Sequence, residues 1–217
     1  MTGTPIEVEG EHLLLFADKA MYWPERRTLV LADLHLGKAM HFRRAGIAAP
    51  PRIESANLDR LDALLQALKP EELLLLGDLF HSRHNASWEA FVAFRSTFPH
   101  TRFTLITGNH DILHPEYYER AGLRSLPWRD DGPFHFTHHP TRHERLYNIA
   151  GHIHPGVRLL GKGRQHLTLP CFFFGGSAAV LPAFGTFTGV SVMHPEPTDR
   201  VFAIAQRSVF RCAVPGT

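Results

Sequence analysis

Thr107-Gly108-Asn109-His110-Asp111 follows the apolar run Arg102 to Ile106, and the reading of this strand exit decides the reading of the whole chain. A turn after a buried strand accepts Gly, Asn and Asp, but propensity gives no reason for the imidazole of His110 there. The pattern recurs along the sequence. Leu29 to Ala32 runs into Asp33-Leu34-His35, and Leu73 to Leu76 into Gly77-Asp78-Leu79-Phe80-His81. Phe134 to Thr137 runs into His138-His139-Pro140, and Tyr147 to Ala150 into Gly151-His152-Ile153-His154. Each of these short apolar runs ends in side chains able to bind a metal ion. In an α/β sheet the loops at the carboxyl ends of strands converge on one crevice, so the exits are expected to share a site.

Asp, His and Asn together make a hard-to-borderline donor set, suited to Mn, Fe or Zn rather than to Ca or Cu(I). Asp33, His35, Asp78, Asn109, His138, His152 and His154 are too many for one ion, and would fill most of two coordination spheres if one carboxylate bridged. Asp78, which follows a glycine on a middle run, is the candidate for that bridge. Two ions about 3.5 to 4 Å apart clamp the attacking and departing oxygens of an in-line displacement at phosphorus, and lower the pKa of water held between them. The chemistry implied is hydrolysis of a phosphate ester.

The series Asp33-x-His35, Gly77-Asp78, Gly108-Asn109-His110-Asp111, His138 and Gly151-His152-x-His154 resembles the calcineurin-like metallophosphoesterase superfamily in order and approximate spacing. Its motifs cover Leu29 to Pro155. The resemblance implies an α/β fold in which a two-sheet β-sandwich is flanked by helices, with a dinuclear centre at the strand ends. Carried over by position, Asp33, His35, Asp78 and His154 would hold one metal, and Asp78, Asn109, His138 and His152 the other. Two divalent ions are implied, Mn2+ first, with Fe or Zn as alternatives. His110 would stay free of metal and act on the substrate, as proton donor to the leaving group or stabiliser of the phosphoryl oxygens. Asp111 would orient its imidazole. His138 and His139 compete for one position; the motif places the ligand directly after the strand, which favours His138. His81 stands where many members carry Asp, and its role stays open.

Leu31 to Pro51 and the segment Gly77 to Arg83 resemble a narrower group, the bacterial DNA-ligase-associated metallophosphoesterases, also called ligase-associated DNA damage response endonucleases. That likeness implies a phosphodiesterase or nuclease acting on DNA in a repair context, with a ligase, helicase or exonuclease as associates. A small substrate such as a cyclic nucleotide, a nucleotide ester or a lipid pyrophosphate is the alternative, and a non-catalytic binding module a third reading. The basic run after the first motif, with Lys38, Arg43 and Arg44, reads either as a solvated loop or as a flap that contacts substrate phosphates.

The 217 residues, 44% of them hydrophobic, suffice for one sizeable core, and no composition shift divides them, so a single domain spanning 1–217 is expected. A formal charge of +2 declares no nucleic-acid binder and allows only a local basic patch. Cys171 and Cys212 lie outside any Cys-x-x-Cys setting, which suggests reduced thiols in a cytosolic protein. No apolar run approaches a membrane span and the amino terminus carries no signal-peptide pattern, so a cytoplasmic protein is expected. Nothing in the sequence points to an oligomeric state.

His12 to Phe16 and Thr28 to Ala32 read as strands paired in a hairpin, with Trp23-Pro24-Glu25-Arg26 in the turn between them. Leu58, Leu61, Leu64, Leu65 and Leu68 keep helical spacing over 53–68, and Lys69-Pro70 ends that helix. Glu72 to Leu76 reads as a central strand buried on both faces. Ser87 to Phe98 reads as a helix capped by Asn85 or Ser87, its aromatics core rather than a base-stacking platform. His114-Pro115 opens a short helix that Gly122 ends. Beyond Gly156, the runs Gln165 to Phe174, Gly189 to His194 and Val201 to Gln206 are expected to build the second sheet. Arg142, Arg145, Arg158, Lys162 and Arg164 flank the last motifs as a candidate basic track.

Overall fold

In the strand Glu72–Leu76 all five residues are buried, and the two sides of the strand face different cores. Leu73 and Leu75 join Leu29, Leu31, Phe103, Leu105 and Leu123 against helical residues such as Leu61, Leu64, Leu65, Phe91 and Tyr118. Leu74 and Leu76 join Val30, Ala32 and Ile106 against Phe134, Phe136, Ile149, Phe172 and Phe174 of a second sheet. The period of two in a β-strand therefore sorts one apolar run into two cores, and the molecule is layered as helices, sheet, sheet. The computed structural model describes residues 2–38, 53–80, 86–161, 163, 165–186 and 188–213.

The first sheet has seven strands in sequence order: β1 (Thr4–Val8), β2 (Glu11–Phe16), β3 (Ala20–Trp23), β4 (Thr28–Leu31), β5 (Glu72–Leu76), β6 (Arg102–Ile106) and β7 (Leu123–Leu126). β1 to β4 pair antiparallel. β4 to β7 pair parallel, each crossover carrying a helix: α1 (Ile53–Leu68), α2 (Ala86–Ser96) and α3 (Pro115–Arg120). Parallel neighbours put the exits of β4, β5 and β6 on the same rim. The expected hairpin of the first two strands is corrected here, because β3 lies between them and pairs with both. Met21 and Trp23 face the core as a strand does, and only Pro24–Arg26, a single 3-10 turn, makes the bend.

The second sheet is built from β8 (Arg129–Asp131), β9 (Phe134–Phe136), β10 (Tyr147–Ala150), β11 (Pro155–Leu160), β12 (His166–Phe174), β13 (Ala178–Val180), β14 (Ser191–Val192), β15 (Arg200–Ala205) and β16 (Ser208–Arg211). β9, β10 and β13 run parallel, so the exits of β9 and β10 also meet at one rim. Of the expected strand at Gly189 to His194 only Ser191–Val192 pairs. Ser87 lies inside α2 rather than before it, and Asn85 lies outside the described residues.

At the opposite end of β5, Glu72 is buried to 2% exposure and accepts hydrogen bonds from Arg129 Nη1 (2.7 Å), Thr104 Oγ1 (2.5 Å) and Arg102 Nη2 (3.2 Å). Burial alone would raise its pKa; the bonds from Arg129, Thr104 and Arg102 outweigh that and hold it below the usual glutamate value. Cys171 and Cys212 are free and buried, and burial pushes both thiols up, Cys171 to about 12. Among the described residues no helix is long and apolar enough to cross a membrane.

Candidate metal centre

The exits of β4, β5, β6, β9 and β10 deliver Asp33, His35, Asp78, Asn109, His138, His152 and His154 to one place. His35 Nε2 lies 3.4 Å from His154 Nε2 and 3.8 Å from Asp78 Oδ2, and His154 Nε2 lies 3.4 Å from Asp33 Oδ1. On the other side of Asp78, His138 Nε2 lies 3.5 Å from Asp78 Oδ1, 3.1 Å from Asn109 Oδ1 and 3.2 Å from His152 Nδ1. Asp78 thus stands between two groups of donors.

Backbone geometry brings the side chains inward at a cost. Asp33, His35, Asp78, His152 and His154 all have positive φ, between 49° and 68°, and make up half of the non-glycine residues in that region among the described residues. Such conformations persist only where the surroundings enforce them, and they gather at functional sites. Gly77, at φ 81°, precedes Asp78, and a Cβ there would stand 2.1 Å from His138 Nδ1. A Cβ on Gly108 would stand 2.4 Å from Asp78 Oδ1. Both positions therefore need glycine if ring and carboxylate are to approach the strand ends.

Hydrogen bonds outside the cluster set its electronics. The Leu76 carbonyl accepts from His138 Nδ1 at 2.9 Å, so the ring presents the lone pair of Nε2 to the cluster. His152 is held below the usual histidine pKa by burial first and then by His139 and His138, which favours the neutral, metal-ligating form. The His152 N–H donates to Asp33 Oδ2 at 2.9 Å. Asp33 Oδ1, fully buried, has no hydrogen-bond donor among the described residues. A buried carboxylate oxygen left this way is costly. A divalent cation would remove that penalty, and the ring nitrogens of His35 and His154, 3.4 Å apart, and of His138 and His152, 3.2 Å apart, stand close enough to share one, so this donor set fits divalent cations.

His110 differs from its neighbours. Its side chain is 39% exposed, against 3% for Asp78, and its Nε2 lies 4.0 Å from Asp78 Oδ2. Its backbone N–H donates to Asp78 Oδ1 at 3.0 Å. Asp111 is held by backbone: Oδ1 accepts from Leu79 N–H at 3.0 Å and Oδ2 from Gly108 N–H at 2.9 Å. It fixes the turn from which His110 projects. Burial, with Asp78 adding to it, raises Asp111 to about 6 against those backbone bonds.

His139 is exposed, yet its ring lies 3.9 Å from that of His152, and its nitrogen reaches the His138–His152 group. Lys38 is half-buried beside the centre: burial holds its pKa below the usual value while Asp33 and Asp78 pull it back up. Arg43, Arg44, His81, Lys162 and Arg164 lie outside the described residues. The Leu76 carbonyl and the positive-φ backbones carry no sequence signal, since no residue type marks them.

Residues 26–169 match the calcineurin-like phosphoesterase family. Among solved structures the chain is similar to Pseudomonas putida nuclease MPE, at 35% identity and a TM-score of 0.82, over 97% of this chain and 100% of that one. It also matches Yfce, a phosphoesterase from E. coli, at 15% identity and a TM-score of 0.48, over 86% of this chain and 98% of that one, a likeness too distant to carry chemistry. No curated protein sequence matches. With the family match spanning the strand exits that build the cluster, the chain belongs to the calcineurin-like phosphoesterase family and is a metal-dependent phosphoesterase.

Proposed function

We propose that the protein is a dinuclear-metal phosphodiesterase that cleaves DNA in a repair context. Asp33, His35, Asp78 and His154 would hold one cation, and Asp78, Asn109, His138 and His152 the other, with Mn2+ favoured over Fe or Zn. The observation that carries this reading is buried Asp78 standing 3.8 Å from His35 Nε2 on one side and 3.5 Å from His138 Nε2 on the other, between the groups that Asp33, His35 and His154 and that His138, His139 and His152 form. Bound there, the two ions would supply Lewis-acid charge and a nucleophilic water at neutral pH.

The chain's own residues do the rest. Asp33 and Asp78 supply the negative charge that retains cations. His138 is oriented by the Leu76 carbonyl behind it, and burial of His152 favours its neutral, metal-ligating form. His110, half-exposed at the edge of the cluster, is placed to meet substrate; it donates a proton to the leaving oxygen or steadies the phosphoryl oxygens. Asp111 holds the turn beneath it. Lys38 adds a positive charge for a substrate phosphate, and Arg43 and Arg44 are proposed for the same task from sequence alone.

DNA as substrate is supported by the narrower resemblance of Leu31 to Pro51 and Gly77 to Arg83, and by a 35% identical neighbour described as a nuclease. A ligase, helicase or exonuclease is the partner class this implies, and two buried, protonated thiols suit a cytoplasmic location. The test is hydrolysis of bis(p-nitrophenyl) phosphate, a mono-ester control, and single-stranded, duplex and gapped DNA with and without Mn2+. The expected result is Mn2+-dependent cleavage of the diester and of DNA, with affinity for DNA falling steeply as salt rises. Turnover confined to the small esters would reject DNA as substrate.

A further inference from the structure

We infer that Trp128 is a stacking site for an unpaired base of the nucleic-acid strand whose phosphate is cut, an inference resting on the reading of the protein as a nucleic-acid phosphodiesterase. Trp128 is 54% exposed, whereas Trp23 and Trp88 are buried at 1% and 7%. Its place in the fold is what singles it out. Leu126, two residues before it, accepts the N–H of Thr107 at 2.9 Å, and Thr107 begins the turn that carries Asn109 and His110. Arg129, the next residue, pairs with Phe136, two residues before His138. Trp128 therefore lies on the short link between the two strand exits that flank one side of the proposed centre.

The indole is backed by a built stack. Its ring centroid lies 5.7 Å from that of His135, which lies 4.7 Å from that of His143. Asp130 Oδ1 holds His135 Nδ1 at 2.5 Å, and His143 Nδ1 accepts the N–H groups of Arg145 (3.2 Å) and Leu146 (3.0 Å). The loop carrying His143 is tied down by buried Asn148, which donates to the His135 carbonyl (2.7 Å) and Thr137 Oγ1 (2.8 Å) and accepts from Thr141 N–H (3.0 Å).

Asp130, His135 and His143 come close enough to suggest a metal site of their own. Against that, the two N–H groups on His143 Nδ1 put its proton on Nε2, and neither nitrogen has a lone pair to spare. The trio is a rigid backing, and what it leaves open is the outer side of an indole. Stacking on tryptophan tolerates every base, because every base has a π-face, and needs the base to be unpaired. Basic charge does not select the site: exposed Arg142 and Arg145 are offset by Glu144 and Asp130 nearby.

Trp23 and Trp88 are buried out of reach of a stacked base, so the part of the fluorescence change that is lost in Trp128→Ala reports on Trp128. Mn2+-loaded protein titrated with a phosphorothioate-linked oligothymidylate should show saturable quenching that an abasic oligomer of equal length does not produce and that Trp128→Ala abolishes. In turnover, Trp128→Ala should raise KM for single-stranded DNA about tenfold more than it affects bis(p-nitrophenyl) phosphate, with kcat for DNA largely kept and Trp128→Phe recovering most of the loss. Equal quenching by base-bearing and abasic strands, or an equal fall on DNA and on the small diester, overturns the inference. DNA cleavage indifferent to Trp128 overturns this inference alone, whereas failure to cleave or bind any DNA overturns the proposed function as well.

Discussion

Strand β5 carries a buried carboxylate at each end, and the two are treated in opposite ways. Glu72, at its start, is surrounded by the protein's own cations and a hydroxyl: Arg129, Arg102 and Thr104 donate to it, and its pKa falls. Asp78, beyond its end, faces His35, His138 and His110 within 3.5 to 4.0 Å, beside an Asp33 oxygen that no donor reaches among the described residues. Both are almost fully buried, so burial alone does not separate a scaffold charge from a reactive one. What separates them is the chemistry of the neighbours. Donors that bring their own positive charge complete the Glu72 end, whereas acceptors that converge leave room for a cation at the Asp78 end.

The contrast is broken most severely at Asp78. Asp78→Asn removes the carboxylate shared by both donor groups, and should cost metal content together with at least about 10⁴-fold in hydrolysis, beyond what a positioned acid supplies; elemental analysis of purified variant beside its rate checks both. His110→Ala should keep the metals and lose about 10² to 10⁴ in rate. A variant that lost its metal, or kept its rate, would remove His110 from the role given to it. Glu72→Gln should do the reverse: rate and metal content are kept, and urea unfolding at pH 7 shows a loss of about 2 to 3 kcal/mol, since charged hydrogen bonds are given up in a buried place.

The smallest expected effect sharpens the last one. Because the Glu72 pKa is lowered in the folded protein, its contribution is present above the ordinary value of 4.5 and fades as pH falls through the folded value. The stability gap between wild type and Glu72→Gln should therefore hold above the ordinary value of 4.5 and shrink as the pH falls below it. A gap that widened on acidification would mean that Glu72 is not the paired carboxylate described here.

The sequence exposes the two ends unequally. β5, β6 and β10 begin and end where the apolar runs at Glu72–Leu76, Arg102–Ile106 and Tyr147–Ala150 do, because continuous burial leaves no other pattern. The seven proposed donors are legible because a turn accounts for an Asp or Asn after one such run but not for imidazoles beside them at exit after exit, and the fold does bring them together. β3 is hidden by its neighbour: Trp23-Pro24-Glu25-Arg26 reads as the turn of a hairpin, and only pairing on both sides makes Ala20–Trp23 a strand. Glu72 gives no sign of its three partners, which come from 30, 32 and 57 residues away. The hold of Asp111 on Leu79 and Gly108 is likewise a product of topology, since its partners are backbone groups that any residue would offer.

The most direct test is the number and position of the ions. Protein loaded with Mn2+ and crystallised should show two anomalous scatterers per chain about 3.5 to 4 Å apart, with Asp78 between them. One ion alone, or two that lie away from Asp78, would contradict the account.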